Sequence, residues 1–258
     1  MSVEVERKFV CHPDILKTLE GIGAVCNVQR QFHDRYFDTP NFDLTLNDMW
    51  LRKREGCWEL KCPTTMGSRP EDTSRQQPKE AALCTRYKEI NDLLEIQQKL
   101  REVLKESLTC GQSACQLPEK VIEERKSMTE VGCQNKGEPN INKYGPETAE
   151  RDSSDEDDAW LSKLNLVCFA EFTTVRHSFI VEEGVQIDLD QADFGYYVGE
   201  IEVMVHEGED VSSALEKIGK VAAKLGLTGD QRVQGKMDVY LQRYCPEHYT
   251  KLRSAHVL

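Results

Sequence analysis

The sequence lacks any long apolar run, since no stretch of about 18 apolar residues occurs, the length that a transmembrane helix needs. It also lacks an excess of positive charge, because 33 Lys and Arg stand against 45 Asp and Glu, for a formal net charge of −12. General affinity for DNA or RNA depends on a basic surface. We therefore expect neither a nucleic-acid partner nor a membrane partner.

Signals for secretion and for a disulfide framework are missing as well. The chain begins Met-Ser-Val-Glu-Val-Glu-Arg-Lys-Phe, which is charged where a signal peptide is apolar. The 10 cysteines include no Cys-x-x-Cys pair, and a chain of 258 residues is long for a disulfide-stapled domain. We therefore expect reduced thiols and a cytoplasmic globular protein. The spread of basic residues suggests no dimer surface, so we expect a monomer.

Residues 111–158 differ in composition from the rest of the chain. They are rich in polar residues, Gly and Pro, and end in the acidic run Glu-Arg-Asp-Ser-Ser-Asp-Glu-Asp-Asp. Such a composition buries too little apolar surface to fold by itself. We interpret 111–158 as a disordered polar and acidic insert inside one domain that spans residues 1–258, rather than as a boundary between two domains.

Deleting residues 115–155 is therefore expected to change the melting temperature by less than about 2 °C, the range of a neutral surface change. Thermal unfolding of the full and shortened chains measures this, and light proteolysis is expected to cut first inside the segment. A shortened chain that does not fold would contradict the prediction and would make the segment part of the core.

Three segments have helical patterns. Residues 12–21 carry Pro near the start and Gly at the end, and residues 88–108 place their apolar side chains near one face. Ser213 and Glu216 have the spacing of a capping box, before an apolar stripe that Gly226 ends. These helices are expected to contribute packing rather than chemistry.

Five further segments alternate apolar and charged residues at the period of a β-strand. Side chains two positions apart share a face, so each segment has one face dominated by charge. The charged members are Glu4, Glu6 and Lys8; Arg52 and Arg54; Glu59 and Lys61; Asp188 and Asp190; and Glu200 and Glu202.

Two interpretations fit these charged faces. Spacing alone favours an antiparallel sheet with one solvated face. Against this, the signs are segregated by strand, and paired carboxylates repel unless a cation lies between them. Arg52 and Arg54 also share a face with Trp50, and arginine forks suit phosphate oxygens.

The second interpretation is an α+β fold in which a closed eight-stranded antiparallel β-barrel, flanked by helices, turns its charged faces inward. A barrel of eight strands has room for one small ligand. Carboxylates would hold hard divalent cations such as Mg²⁺, and arginines and lysines would clamp phosphates. A polyphosphate bridged by Mg²⁺ satisfies both sets of residues.

The order of motifs supports the second interpretation. Glu4-Val-Glu-Arg-Lys8 resembles the E-x-E-x-K signature of the CYTH family, the triphosphate tunnel metalloenzymes. It is followed in order by Arg52-x-Arg54, Glu59-Leu-Lys61, Arg176, Asp188-Leu-Asp190, Glu200-Ile-Glu202 and Lys236. Strings at 35–40, 50–55, 58–63, 188–195 and 239–243 resemble the animal branch of this family, which acts on thiamine triphosphate.

The resemblance implies roles for individual residues. Metal ligands would be Glu4, Glu6, Glu200 and Glu202, with Asp188 and Asp190 for a second ion. The triphosphate clamp would be Lys8, Arg52, Arg54, Lys61, Arg176 and Lys236. Trp50 would stack on the thiamine rings, and Tyr36 with Lys61 would orient or activate the attacking water. From spacing alone, Arg176 and Lys236 are single charges of the kind found on any surface.

The function implied is Mg²⁺-dependent hydrolysis of thiamine triphosphate. Two alternatives stay open at the level of sequence. One is a tunnel enzyme that acts on inorganic triphosphate or a nucleotide. The other is a protein that binds thiamine phosphates or polyphosphate without catalysis; the full set of expected carboxylates and clamp residues argues against it.

Overall fold

The structure is a computed structural model that describes residues 2–64, 79–111, 158–181, 184–206, 211–229 and 231–258. The predicted insert at 111–158 lies outside these ranges except for its two end residues, so its interpretation remains a prediction. The description below concerns the described ranges.

Eight strands in the described ranges form one closed barrel. They are β1 Ser2–Val10, β2 Val25–Asp38, β3 Trp50–Arg54, β4 Cys57–Pro63, β5 Cys84–Ile90, β6 Val167–Val181, β7 Val185–Ala192 and β8 Tyr196–His206. Their order around the barrel is β1-β5-β4-β3-β2-β6-β7-β8, and β8 pairs with β1 to close it. Every neighbouring pair is antiparallel. The predicted closed eight-stranded antiparallel barrel is confirmed.

Helices flank the barrel, as the α+β prediction requires. They are α1 Ile15–Gly21, α2 Lys79–Leu83, α3 Leu93–Gly111, α4 Ala159–Lys163, α5 Val211–Lys224, α6 Lys236–Tyr244 and α7 Pro246–Ser254, with a short 3-10 turn at Thr45–Asn47. None of the helices in the described ranges has the length and apolarity to cross a membrane.

Two details of the helix prediction are wrong. The predicted helix over 88–108 begins only at Leu93, because the preceding residues continue β5 as far as Ile90, which pairs with Leu60 of β4. Asp92 then starts the helix by accepting a hydrogen bond from the Glu95 amide at 2.9 Å. Ser213 is not an N-cap, since α5 already begins at Val211.

The hydrophobic core lies outside the barrel wall, between the strands and the helices. On one side the outward residues of β1, β7 and β8 pack against α1 and α5, with Ile187 and Ile201 fully buried beside Ile218. On another, β3 and β4 pack against α3 and α4, with Leu60 against Ile96. Burying each such side chain contributes about 1.5–3 kcal/mol. Because alternate residues point to opposite faces, the charged residues between them point into the barrel.

Candidate active site inside the barrel

One cavity of about 140 Å³ lies in the interior of the barrel. Most of the predicted site residues line it, and they come from β1, β2, β3, β4, β6, β8 and α6. These residues are Glu4, Glu6, Lys8, Tyr36, Trp50, Arg52, Arg54, Lys61, Arg176, Glu200 and Lys236. The structure therefore brings together side chains that are up to 232 positions apart in the chain, from Glu4 to Lys236.

The remaining predicted residues, Asp188, Asp190 and Glu202, do not line the cavity, although all three belong to the described chain. Asp188 and Asp190 are fully buried in the wall, where both form ion pairs with Arg176. Glu202 accepts a hydrogen bond from the Gln186 amide at 2.8 Å. Asp188 and Asp190 therefore contact the cavity residue Arg176, and Glu202 lies opposite the cavity residue Glu6 in the β1–β8 ladder.

The arginines of β3 are held by carboxylates on the neighbouring strands. Asp34 of β2 lies opposite Arg54 in the β2–β3 ladder. Its carboxylate accepts hydrogen bonds from Arg54 Nε at 2.6 Å and from Arg54 Nη2 at 2.7 Å. Glu59 of β4 lies opposite Arg52 and pairs with it at 2.6 Å. Each guanidinium therefore has a carboxylate partner before any ligand binds, and the bidentate Arg54–Asp34 pair is directional.

A second group of charges connects β6, β7, β8 and α6. The guanidinium of Arg176 donates to both oxygens of Asp190 at 2.6 Å and to Glu200 at 2.8 Å. Lys236, the first residue of α6, donates to Asp190 and lies 3.5 Å from a Glu200 oxygen. Burial would raise the pKa of Glu200, but Lys236, Arg176 and Lys8 outweigh it and hold that pKa well below its usual range. Glu200 is therefore an anion among three cations.

The lysines of β1 and β4 are paired in the same way. Lys8 donates to Glu6, and Lys61 donates to Glu4 and lies 3.1 Å from Glu89. Burial opposes the charged form of Lys61, yet attraction to Glu4 and Glu6 raises its pKa above the ordinary value. Both ammonium groups are therefore held as cations inside the barrel.

Carboxylates are in excess near Glu4 and Glu202. Burial and the neighbouring Glu6 raise the pKa of Glu4 to about 7. Burial and the neighbouring Asp188 raise that of Glu202 to about 9. Such shifts are typical of carboxylates brought together without enough positive charge to balance them. A cation bound among them would stabilise the charged carboxylates and so oppose both shifts.

Trp50 lies where β3 begins, beside residues that the sequence analysis did not single out. Its indole Nε1 donates to Asp48 Oδ1 at 2.9 Å, and the Tyr87 hydroxyl donates to the same oxygen at 2.8 Å. Trp50, Asp48, Tyr87 and Arg232 all line the cavity. This part of the wall therefore combines aromatic faces with a carboxylate and the Arg232 guanidinium, which interacts electrostatically with Asp48.

Tyr36 is buried in the wall of β2 and still lines the cavity. Its ring packs on Phe172 with centroids 5.7 Å apart, and it lies opposite Arg52 in the β2–β3 ladder. Packing and pairing therefore fix its position beside Arg52, a residue predicted to bind phosphate.

Sequence reasoning missed several interior residues. Thr85, Tyr87 and Glu89 alternate on β5, and this alternation could have identified the strand; the predicted helix over 88–108 obscured it. Asp34 gave no local signal, because its partner Arg54 is 20 positions away. Asp48 follows the 3-10 turn and belongs to no periodic pattern.

Fold and site together define a class of protein. Residues 2–112 and 122–235 match the family described as the CYTH domain, and the chain belongs to this family. Among curated relatives, thiamine-triphosphatase of Homo sapiens is 32% identical over 260 residues, covering 97% of this chain and 89% of that protein. Thiamine-triphosphatase of Macaca fascicularis matches at the same identity and coverage. PH1819 protein from Pyrococcus horikoshii OT3 shares the fold, with a TM-score of 0.53, 17% identity and coverage of 93% and 99% of the two chains.

Membership of this family implies a metal-ion cofactor. Among the described residues, no three Asp, Glu, His or Cys side chains are grouped as ligands of one ion. Glu4, Glu6, Asp190 and Glu200 contact ammonium or guanidinium groups instead. The chemistry of the donors nonetheless fits a hard divalent cation, because the excess side chains are all carboxylates. Because the pKa values of Glu4 and Glu202 are raised, a cation bound beside these two carboxylates would stabilise their charged forms.

Proposed function

We propose that this protein hydrolyses thiamine triphosphate to thiamine diphosphate and phosphate, with Mg²⁺ as its cofactor. One observation supports this most directly: the six cationic side chains predicted for the clamp line one cavity in the barrel, together with carboxylates and an indole. They are Lys8, Arg52, Arg54, Lys61, Arg176 and Lys236. The relatives named thiamine-triphosphatase, which this chain matches over 97% of its length, support the choice of substrate.

The cations would bind the triphosphate. Each arginine of the clamp already has a carboxylate partner in the wall: Glu59 for Arg52, Asp34 for Arg54 and Asp190 for Arg176. These partners hold the guanidinium forks in place, so little ordering entropy is lost when phosphate oxygens bind. Phosphoryl transfer depends mostly on such positioning and on charge stabilisation.

Glu4, Glu6, Glu200 and Glu202 would hold the metal, with Asp188 and Asp190 as candidates for a second ion. Bound Mg²⁺ supplies charge neutralisation on phosphoryl oxygens and helps to orient or acidify a water. In the structure Asp190 is occupied by Arg176 and Lys236. We therefore regard orientation of these two cations as a further role of Asp190.

In the reaction the oxygen of a water molecule bonds to the terminal phosphorus, and the bond from that phosphorus to the bridging oxygen breaks. The electron pair leaves with thiamine diphosphate. Lys and Arg side chains of the clamp stabilise the charge that grows on this leaving group. Tyr36, which is fixed beside Arg52, and Lys61 would orient the water. Because Lys61 is held as a cation, the proton of the water passes to an oxygen of the transferred phosphate.

A phosphate-release assay over a panel of triphosphates tests the proposal. Thiamine triphosphate, inorganic triphosphate and ATP are compared at saturating Mg²⁺, and the highest kcat/KM is expected for thiamine triphosphate. A higher value for inorganic triphosphate or ATP would replace the proposed substrate. Binding of thiamine triphosphate without phosphate release would make the protein a binding module.

We further propose a cytoplasmic monomer. The described cysteines, Cys11, Cys26, Cys57, Cys62, Cys84, Cys168 and Cys245, are free thiols, which suits a reducing compartment. One chain supplies every strand of the closed barrel, so the site needs no residue from a second copy. Light scattering after size-exclusion chromatography measures the mass, and a dimer mass would overturn this part of the proposal.

A further inference from the structure

The clamp residues can bind the triphosphate of any candidate substrate, because every candidate carries the same phosphates. They therefore cannot distinguish one organic group from another. The organic end must contact other parts of the cavity. Trp50 provides an aromatic face, and Asp48, two positions before it, accepts a hydrogen bond from its indole.

Asp48 has an unusual place in the chain. It follows the 3-10 turn Thr45–Asn47 with a φ of 54°, in the left-handed region that Asp and Asn tolerate better than most residues. This backbone conformation directs the chain into β3, where Trp50 begins the strand. The turn therefore brings the carboxylate and the indole to the same part of the cavity wall.

The hydrogen bonds of Asp48 differ from those of the clamp carboxylates. Asp34, Glu59 and Asp190 each bind a guanidinium group. Asp48 instead accepts from two neutral donors, the indole Nε1 of Trp50 and the hydroxyl of Tyr87, both at Oδ1.

Two consequences follow for the same carboxylate. The bonds from Trp50 and Tyr87 fix the orientation of an indole and a phenol that both line the cavity. The carboxylate also brings negative charge to an aromatic surface beside the phosphate clamp. The clamp residue Lys61 lies opposite Trp50 in the β3–β4 ladder, and its ammonium lies 6.0 Å from the centroid of the Tyr87 ring. A positively charged ring is attracted by an indole face and by a nearby carboxylate. The uncharged nucleobase of a nucleotide is attracted less strongly by both groups.

We propose that Asp48 is the positioning residue that selects a cationic organic end on the triphosphate substrate, by holding the Trp50 indole and by supplying the negative charge beside it. This inference rests on the proposed hydrolysis of thiamine triphosphate, whose thiazolium ring is positively charged. It assigns to Asp48 a selectivity that the phosphate clamp does not provide.

Asp48→Asn tests the inference, because asparagine also tolerates the left-handed conformation and keeps an oxygen that can accept both hydrogen bonds. Loss of the charge is expected to lower kcat/KM for thiamine triphosphate by about tenfold, mostly through KM. The value for inorganic triphosphate, which has no ring, is expected to stay within about twofold. Tyr87→Phe, which removes one of the two donors, is expected to have a smaller effect in the same direction.

Asp14→Asn is the matched control, since Asp14 is exposed and pairs only with the surface residue Lys17 among its described ion pairs. It is expected to leave both substrates unchanged. An equal loss on both substrates in Asp48→Asn would show that Asp48 merely supports the turn. An unchanged kcat/KM for thiamine triphosphate would also overturn the inference.

The wild-type panel separates failure of this inference from failure of the proposed function. If the wild type releases no phosphate from thiamine triphosphate, the proposed function falls. Calorimetric titration with thiamine diphosphate and with inorganic diphosphate then decides the role of Asp48. Asp48→Asn is expected to weaken only thiamine diphosphate binding, by about tenfold, and equal affinities in wild type and variant would overturn the inference.

Discussion

Glu200→Gln is expected to lower kcat/KM for the triphosphate substrate by about a hundredfold to a few thousandfold while the fold survives. Glutamine keeps the shape of the side chain and removes its charge. Removing one member of a buried charge cluster costs about 3–5 kcal/mol, and about 1.4 kcal/mol corresponds to tenfold. Arg176, Lys236 and Lys8, which all hold the pKa of Glu200 low, would lose a common partner.

The same residue is a candidate metal ligand, so its loss is also expected to raise the Mg²⁺ concentration needed for half-maximal activity. Hydrolysis by the wild type is expected to stop in excess EDTA and to return when Mg²⁺ is added. Full activity in EDTA would contradict the metal dependence. An unchanged Mg²⁺ requirement in Glu200→Gln would leave Glu200 as a partner of the clamp and remove it from the metal ligands.

Glu216→Gln is the matched control for this substitution. Glu216 lies on the outer surface of α5, where its exposed side chain pairs with Lys220 at 2.9 Å. Exposed pairs of this kind contribute about 0–1 kcal/mol. The control is therefore expected to keep wild-type kinetics and melting temperature, and a large loss of activity in it would indicate a general effect of losing charge.

Trp50→Ala is expected to lower kcat/KM for thiamine triphosphate by up to about thirtyfold and to change hydrolysis of inorganic triphosphate little. A cation over an indole face contributes roughly 0.5–2 kcal/mol, with the upper end where water is excluded. Trp50 lines the same cavity as Arg52 and Arg54, two and four positions along β3. An organic group attached to a bound triphosphate can therefore reach it.

The measurement is kcat/KM for both substrates at saturating Mg²⁺. Trp50→Phe serves as the graded control, because phenylalanine keeps an aromatic face and loses the bond to Asp48. It is expected to fall between wild type and Trp50→Ala on thiamine triphosphate. Equal losses on the two substrates would mean that Trp50 supports the barrel wall only, and the choice of thiamine triphosphate would then depend on the relatives alone.

Some parts of the site were predictable from local sequence. The charged members of β1, β3, β4, β7 and β8 recur at period two, and that period is a direct consequence of strand geometry. The ordered motifs that begin with Glu4 then identified the family. The cavity lining contains the predicted clamp residues and Trp50 because this local alternation is preserved in the folded barrel.

Other parts depended on pairing between distant strands. Arg176 is a single charge in the sequence, and it became part of a cluster only when β6 paired with β7 and placed it opposite Asp190. Lys236 reaches the same Asp190 from a helix 46 positions away. The boundary between β5 and α3 was misplaced because the ladder with β4 outweighed the helical propensity of residues 88–90.

The sequence by itself determined that each strand has an apolar face and a charged face, because alternation follows from the pleat of a strand. It did not determine which face would be inside, since a solvated sheet and a closed barrel have the same period. The tertiary structure decided this. The helices α1 and α5 on one side, and α3 and α4 on another, cover the apolar faces from outside. Once the barrel closes, the charged faces remain inside, where buried cations and carboxylates must pair with one another or with a ligand.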